Sequence, residues 1–376
     1  MSVQLNFIDY LQKDEELEKK KNLTNKQKPK MVSLFSGCGG MDLGFKQAGY
    51  DIIYANDFDE DAQKIYELNL GKIDKRDILD IDEKDIPDCD IICAGFPCQP
   101  FSSAGNRKGV EDDRGNLYKE CLRIIEKKHP KVVVLENVRG LMSMKDEDGN
   151  KLLDTIIGNL EELGYIVSFK LLNSSDYGVP QNRYRLFIIA LDKEYGIKFK
   201  FPMPRKEKER LKLKYVLDID KNVPNQKYWE LSPQAAKMIV YITEGGSWKD
   251  IPYEELPDRF KKIRDNMKKY RSPNFYRRFS REEINGTITA SAQPENCGII
   301  HPLKNRRYTI REIARIQSFP DDFLFIDESK RDIIGMYKVI GNAVPPKLAK
   351  VLAEEILYQF WSFIGEDKNE EKIYKC

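Results

Sequence analysis

From Met31 onward, short apolar runs alternate with stretches in which apolar residues recur at helical spacing. The apolar runs predict strands over residues 31–36, 52–55, 90–94, 132–135, 166–172 and 186–191, with one more strand ending at Asp77. The periodic stretches predict helices through residues 43–45 and over residues 59–71, 117–127, 152–163, 309–317 and 347–363. Strands that alternate with helices indicate an α/β fold with a doubly wound, mostly parallel sheet.

The pattern changes after Asp192, where prolines interrupt the chain at short intervals and the alternation of strands and helices stops. We therefore predict a smaller, irregular second domain. The predicted boundaries are an N-terminal extension over residues 1–30, a catalytic and cofactor-binding domain over 31–192, the second domain over 193–320, and a return segment over 321–376 that completes the first domain.

Composition narrows the choice of protein class. The chain has 376 residues, 41% of them hydrophobic and 33% charged, and its apolar runs are too short to cross a bilayer. We expect a cytoplasmic protein that makes no membrane contact. The seven cysteines are odd in number and include no C-x-x-C pair, and there are only two histidines, so we expect neither a disulfide framework nor a metal site.

Charge is unevenly distributed along the chain although the net charge is only +2. Residues 193–285 contain 23 basic and 14 acidic side chains, whereas residues 1–192 contain 27 basic and 34 acidic ones. A basic middle beside an acidic front is typical of a phosphate-binding module next to a cofactor domain. A lysine-rich, solvated surface explains the same counts, and charge alone does not separate the two interpretations.

A glycine-rich turn follows the first predicted strand, in the stretch SLFSGCGGMDLG at residues 33–44. Glycines 37, 39 and 40 allow a ligand to approach the backbone at the carboxyl edge of the sheet. The spacing differs from G-x-G-x-x-G because Asp42 stands at the last glycine position, which favours a nucleoside over a dinucleotide. An ordinary tight turn remains the alternative.

An acidic residue followed by an apolar one stands at the end of each of the next two predicted strands, as Asp57-Phe58 and Asp77-Ile78. Asp57 is placed to accept hydrogen bonds from ribose hydroxyls, with Phe58 as an apolar wall. Asp77 and Ile78 are placed to hold an adenine amino group and ring. The alternative is that both acids lie on the surface and bind nothing.

The candidate nucleophile is Cys98, which lies between two prolines directly after a predicted buried strand. A polar loop of small residues, 102–109, follows it and is suited to closing over a substrate. Glu136 ends the next strand at the same edge, where burial would let its carboxyl group donate a proton. Arg183 and Arg185 alternate on a later strand and are suited to clamp a carbonyl oxygen or a phosphate. The competing interpretations are a buried structural cysteine and surface ion pairs. For the other six cysteines we expect the structural role.

In their order along about 300 residues, six blocks resemble the cytosine-5 DNA methyltransferase family. The blocks are FSGCGG at 35–40, GFPCQPFS at 95–102, ENV at 136–138, QNRYR at 181–185, RRYTIREIARIQSFPD at 306–321 and GNAV at 341–344. The resemblance implies the class I S-adenosylmethionine-dependent methyltransferase fold with a target-recognition domain. By its length, the chain is most similar to the stand-alone bacterial type II modification enzymes.

The resemblance also implies specific roles. Cys98 would attack C6 of a cytosine flipped out of duplex DNA, Glu136 would act on N3, and Arg183 and Arg185 would hold the base carbonyl. S-adenosylmethionine would be the methyl donor and S-adenosylhomocysteine the product, without a metal. The implied cofactor contacts are Phe35, Ser36, Gly37, Gly39, Gly40, Met41, Asp57, Phe58, Asp77, Ile78, Pro97, Leu117, Asn342 and Val344. The implied DNA contacts are Gln99, Ser102, Arg114 and Thr287.

Three rival functions were compared with this hypothesis. A transfer-RNA methyltransferase would share the chemistry, but that branch carries Pro-Pro-Cys and a shorter middle domain. A DNA-binding regulator on a decayed enzyme scaffold conflicts with the intact Cys98, Glu136, Arg183 and Arg185. A thiol hydrolase would need a well-placed histidine. We therefore expect a monomer that binds double-stranded DNA in the nucleoid, beside a cognate restriction endonuclease that it does not contact.

Overall fold

The computed structural model describes residues 28–97, 117–266 and 275–362. Its strands are β1 Lys30–Leu34, β2 Asp51–Asn56, β3 Ile91–Ala94, β4 Val132–Val138, β5 Tyr165–Asn173 and β6 Tyr184–Asp192. Its helices are α1 Gly40–Ala48, α2 Glu60–Asn69, α3 Leu117–Lys128, α4 Leu152–Glu162, α5 Pro233–Ile239, α6 Asp258–Asp265, α7 Ile310–Ile316, α8 Lys330–Asn342 and α9 Pro346–Ile356. Within these ranges, no helix combines the length and apolar character needed to cross a membrane.

The six strands form one sheet in the order β2-β1-β3-β4-β6-β5. Strands β1, β2, β3 and β4 pair in parallel, whereas β6 runs antiparallel to both β4 and β5. Strand order reverses between β1 and β3, and in doubly wound sheets such a point opens a crevice at the carboxyl edge. The predicted mostly parallel α/β sheet is confirmed.

Consecutive residues of each strand point to opposite sides of the sheet, so both faces carry apolar side chains. Helices cover both faces. On one face Val32, Ile92 and Val133 pack against α3 and α4. On the other face Met31, Ile91 and Val132 pack against α1 and α9. Helix α9 therefore packs back against the first βα unit.

A third apolar cluster lies outside the sheet and joins the middle of the chain to α7 and α8. The middle, residues 193–309, contains α5 and α6 and is otherwise built of turns and single-turn helices in its described part. The amino-acid pattern did not predict α5, α6 or α8. Cys38, Ala62 and Ile65 belong to the same cluster, so the middle of the chain packs directly against the first βα units.

One predicted strand is wrong. The segment before Asp77 makes only a single parallel bridge, between Asn56 and Asp74, and Asp77 caps a 3₁₀ turn over Ile78–Asp80. The Asn56 side chain donates to the Asp74 and Arg76 carbonyls, at 3.1 and 2.8 Å, where a strand would place backbone partners. Only Ile73 is buried in this charged segment, so burial provides little drive to extend a strand.

Candidate active site

The glycine turn between β1 and α1 is shaped by left-handed backbone conformations. Phe35, Gly37 and Gly39 have φ angles of 53°, 57° and 86°. A Cβ atom added at Gly37 would meet no heavy atom within 4 Å, so open space lies against the backbone there. Such a cradle lets a small ligand approach the main chain, as the sequence predicted for a cofactor. Ser36 donates to Ser33 Oγ at 2.9 Å and ties the turn to β1.

The return segment forms one wall of this turn. A Cβ atom added at Gly40 would lie 2.3 Å from the Val344 carbonyl oxygen, so glycine is required for the close approach. Asn342 is exposed at the end of α8, and Val344 is buried two residues later. The structure therefore brings two predicted cofactor contacts from the far end of the chain to the turn.

Asp57 and Phe58 stand at the carboxyl end of β2, directly beside the turn. Asp57 accepts hydrogen bonds from the Gly37 and Asp59 amides, at 2.7 and 2.8 Å. Burial raises the pKa of Asp57, although these two bonds lower it in part. The Phe58 ring is 58% exposed, which is unusual for a large apolar side chain and suits a ligand-facing wall.

Other predicted cofactor residues surround the same edge. The bonds that Asn56 makes to the segment 74–76 hold Asp77 and Ile78 next to the end of β2, with Ile78 buried. Leu117 is buried at the start of α3, Met41 is buried in α1, and Pro97 is exposed after β3.

Asp42 is a buried acid beneath the turn that the sequence analysis did not identify as functional. Ser33 Oγ and Tyr66 Oη each donate to its carboxylate at 2.7 Å. Burial raises the pKa of Asp42 to about 6, against the effect of these hydrogen bonds. An acid directly after a glycine turn, with a tyrosine on the next helix, was the available signal.

Glu136 and Arg185 form a buried pair at the other side of the crevice. Glu136 lies near the end of β4, and Arg185 lies at the start of the neighbouring antiparallel strand β6. Arg185 Nε lies 2.9 Å from Glu136 Oε1, and the two side chains are only 13% and 11% exposed. The other carboxyl oxygen, Oε2, lies toward Gly95, where an added Cβ atom would be 3.4 Å from it. The Glu136 carboxyl group therefore lies between Arg185 and the segment that leads into the cysteine motif.

Protonation of Glu136 is favoured by its surroundings. Burial raises the pKa of its carboxyl group, while the nearby charges of Arg185 and Arg183 lower it only in part. A carboxyl group with a raised pKa retains a proton closer to neutral pH and can donate it to a ring nitrogen. Of the sequence-predicted catalytic groups, the structure thus brings three together.

The predicted nucleophile Cys98 lies outside the described residues, as do Gln99, Ser102 and Arg114. The structure describes the chain up to Pro97. The Asn137 side chain donates to the Phe96 carbonyl at 3.0 Å. The segment that enters the cysteine motif is therefore tethered to the residue next to Glu136.

Arg183 and Thr287 lie where the second domain meets the sheet. The Arg183 guanidinium is fully buried and donates to the carbonyl groups of Ile288, Gly341 and Asn342. Thr287 Oγ1 donates to the Asn182 carbonyl at 2.7 Å. Both residues therefore hold the QNRYR segment against the return segment and the second domain.

The five cysteines that the structure describes have structural surroundings. Cys38, Cys93, Cys121 and Cys297 are buried, and Cys89 is partly buried. Burial raises the pKa of Cys38 and Cys89 to about 12 and of Cys297 to about 11. These thiols are poor nucleophiles near neutral pH. In the described part of the chain, no group of three or more His, Cys, Asp or Glu side chains is arranged to hold a metal ion.

Comparison with known proteins decides the family. The sequence model for "C-5 cytosine-specific DNA methylase" matches residues 29–358. The type II methyltransferase M.NgoFVII of Neisseria gonorrhoeae is 40% identical over 345 residues, which cover 89% of this chain and 88% of that protein. The type II methyltransferase M.FnuDI of Fusobacterium nucleatum is 38% identical, over 87% of this chain and 94% of its own length.

The chain belongs to the C-5 cytosine-specific DNA methylase family. It is an enzyme, a DNA cytosine-5 methyltransferase of a family that uses S-adenosylmethionine and acts on double-stranded DNA. The solved structure of the Schizosaccharomyces pombe Dnmt2 methyltransferase, 21% identical, shares the fold with a TM-score of 0.64 over 88% of this chain and 99% of that one. The family and the class I methyltransferase fold predicted from six sequence blocks are therefore confirmed.

Proposed function

We propose that this methyltransferase modifies C5 of one cytosine within a specific duplex sequence, as the modification enzyme of a type II restriction-modification system. The observation that carries the chemistry is the buried Glu136–Arg185 pair, whose carboxyl group has a raised pKa and lies beside the segment that leads into the cysteine motif. The type II relatives, each matched over most of its length, support the biological role.

The cradle between β1, β2 and the return segment fits S-adenosylmethionine. Open space at Gly37, the exposed Phe58 ring and the Asp57 carboxylate offer main-chain approach, an apolar wall and a hydroxyl acceptor. When bound, the cofactor supplies an electrophilic methyl group, and S-adenosylhomocysteine is the product. We assign Phe35, Asp57, Phe58, Asp77, Ile78, Asn342 and Val344 to holding it, together with Leu117 and the other turn residues.

Glu136 activates the base in this proposal. Its proton passes to N3 of the flipped cytosine, which makes C6 electrophilic, and the resulting carboxylate stays paired with Arg185. Arg185 also holds the base carbonyl, because its guanidinium faces Glu136 at the crevice. Arg183 acts on the base mainly through Arg185 and the backbone, since both of its Nη atoms are bonded to carbonyl groups and only its buried Nε lacks a partner among the described residues.

Cys98 is the nucleophile that the motif assigns. Its thiolate electron pair forms a bond to C6, and the C5–C6 double bond supplies the electrons for the new bond from C5 to the methyl group. A base, water in the simplest case, then removes the C5 proton. Those electrons restore the C5–C6 double bond and expel the Cys98 thiolate, and N3 returns its proton to the Glu136 carboxylate.

Target selection is assigned to the middle of the chain. Residues 193–285 carry the excess of basic side chains, and their end is joined to Arg183 and Asn182 through Ile288 and Thr287. Together with Gln99, Ser102 and Arg114, Thr287 is the assigned contact to the flipped nucleotide. We further propose a cytoplasmic monomer whose cognate endonuclease reads the same site without touching it. Exchanging residues 193–285 for a relative's segment is expected to change the methylated sequence.

Covalent trapping tests the proposed chemistry. A pool of random duplexes containing 5-fluorocytosine is incubated with the protein and S-adenosylmethionine. Fluorine at C5 blocks the final elimination, so the wild-type protein is expected to form a denaturation-resistant complex that requires the cofactor. Bisulfite sequencing of DNA from expressing cells then identifies the target site.

The matched variants are Cys98→Ser and Cys89→Ser, since Cys89 is the least buried of the other described cysteines. We expect Cys98→Ser to abolish trapping and Cys89→Ser to retain it. Trapping by Cys98→Ser at the wild-type level, or none by the wild-type protein, would contradict the assignment.

A further inference from the structure

Arg183 joins three parts of the chain at one point. It precedes β6, and its guanidinium donates from Nη1 to the Ile288 carbonyl at 3.0 Å. From Nη2 it donates to the carbonyls of Gly341 and Asn342 at 2.8 and 3.1 Å. The side chain is fully buried, so water does not replace these bonds if they break.

Gln181 makes a second bridge between the same parts. Its Oε1 accepts from the Ile288 amide at 2.9 Å, and its Nε2 donates to Gln317 Oε1 at 2.9 Å. Gln317 in turn donates to the Ile340 carbonyl at 2.7 Å. A Cβ atom at Gly341 would lie 2.6 Å from the backbone of residues 289 and 290, so the two segments also touch directly.

Each joined segment leads to a different ligand site. The end of α8 runs through Asn342 to Val344, whose carbonyl packs on Gly40 in the glycine turn. The segment around Ile288 leads back to the basic middle of the chain. Arg185, two residues after Arg183, contacts Glu136 in the base site. A displacement of one segment therefore strains hydrogen bonds that fix the other two.

We propose that Arg183, supported by Gln181, is the positioning residue that couples cofactor binding to DNA binding. The proposal rests on the proposed function, because the two ligands are the cofactor and duplex DNA. A planar guanidinium fixes the angles between its acceptors, whereas a lysine ammonium is a point donor on a flexible stem. Coupling is reciprocal: each ligand must tighten the other by the same factor, typically about 5–150-fold.

The test measures four dissociation constants for each protein. They are those of the duplex site mapped by bisulfite sequencing, with and without S-adenosylhomocysteine, and of S-adenosylhomocysteine, with and without the duplex. Each ligand gives one ratio, its dissociation constant without the other ligand divided by that with it. For the wild-type protein we expect the two ratios to be equal and at least about fivefold. For Arg183→Lys we expect both ratios to fall toward one, whatever its affinity for each ligand alone.

Arg311→Lys is the matched control. Arg311 is also fully buried and donates to the carbonyls of Pro224, Pro320 and Phe323, none of which is assigned to the cofactor or to the flipped base. Its substitution is expected to leave the coupling ratio unchanged. If Arg183→Lys does not fold, Gln181→Met tests the second bridge and is expected to lower the ratio.

Three outcomes would overturn the coupling. They are a wild-type ratio of one, an undiminished ratio in Arg183→Lys and Gln181→Met, or an equal loss in Arg311→Lys. Trapping of 5-fluorocytosine DNA is measured on the same wild-type protein. If trapping succeeds and the ratio is one, the coupling fails while the proposed function stands.

Discussion

The sheet region, residues 30–192, and the middle of the chain, residues 193–309, are held together by different interactions. In the sheet region, backbone ladders and apolar side chains fix the position of each strand. In the middle, buried arginines bond to carbonyl groups that the turns leave without ladder partners. Arg278 donates to His301 and Ile239, and Arg307 donates to Ala292 and Trp229.

This difference changes how the basic charge of the middle is interpreted. Arg278 is only 3% exposed, and Arg277 and Arg281 pair with Glu283 and Glu244. Part of the charge excess therefore stabilises the fold instead of facing DNA phosphates. Positive charge counted from a sequence is an upper limit on the charge available to a nucleic acid, because buried guanidinium groups are included in the count.

The largest expected effect comes from removing a guanidinium of the middle region. Arg278→Ala leaves the buried His301 carbonyl without a donor and removes one of two hydrogen bonds to the Ile239 carbonyl, and we expect a loss of about 3–5 kcal/mol in the free energy of unfolding. Urea unfolding measures it. Arg281→Ala, half exposed and paired with Glu244, is the control and should cost at most about 1 kcal/mol. Equal losses of stability in the two variants would show that the buried Arg278 stabilises the fold no more than the half-exposed Arg281 does.

Glu312 lies in α7, and its contact with Arg306 and His301 of the middle region depends on pH. Burial opposes ionisation, yet hydrogen bonds from Arg306 and His301 hold the pKa of Glu312 at about 2. Because this pKa is depressed, the stabilisation is present above the unfolded value near 4.5 and is lost as pH falls toward 2. Glu312→Gln should lower stability at neutral pH by about 2–3 kcal/mol and flatten its decline between those pH values. If the free energy of unfolding fell with pH in the same way in both proteins, Glu312 would not be the group that causes the decline.

In the sheet region we expect stability to depend on the volume of the side chains and not on their charge. Gly40→Ala places a Cβ atom 2.3 Å from the Val344 carbonyl oxygen and should cost about 1–3 kcal/mol. Weaker binding of S-adenosylhomocysteine should accompany it, because the turn and the return segment must separate. Gly158→Ala in α4 meets no atom within 4 Å and should stabilise by up to about 1 kcal/mol. Calorimetric titration measures the affinity for S-adenosylhomocysteine, and thermal unfolding measures the stability. A Gly40→Ala protein with the stability and affinity of wild type would contradict the close packing.

The two regions also differed in how well the sequence predicted them. Strand β4 and the position of Glu136 followed from an apolar run and the residue after it, which are local signals. The role of Arg183 depends on Ile288 and Gly341, 105 and 158 residues away, which no local pattern specifies. The strand predicted before Asp77 was wrong because its backbone pairs with β2 only around Asp74, and beyond that point the Asn56 side chain bonds to the Arg76 carbonyl. The buried network around Asp42 likewise depends on a tyrosine from another helix.

The central claim is that Glu136, buried beside Arg185, delivers a proton to the cytosine ring. The most direct measurement is the pH profile of kcat/KM for methyl transfer by the wild-type protein and Glu136→Gln. The account predicts at least about 100-fold lower kcat/KM for Glu136→Gln, with DNA affinity retained. It also predicts that the wild-type rate falls as pH rises through the raised pKa of Glu136 and that the variant lacks this decline. A variant within about tenfold of wild type, with the same decline at high pH, would contradict it.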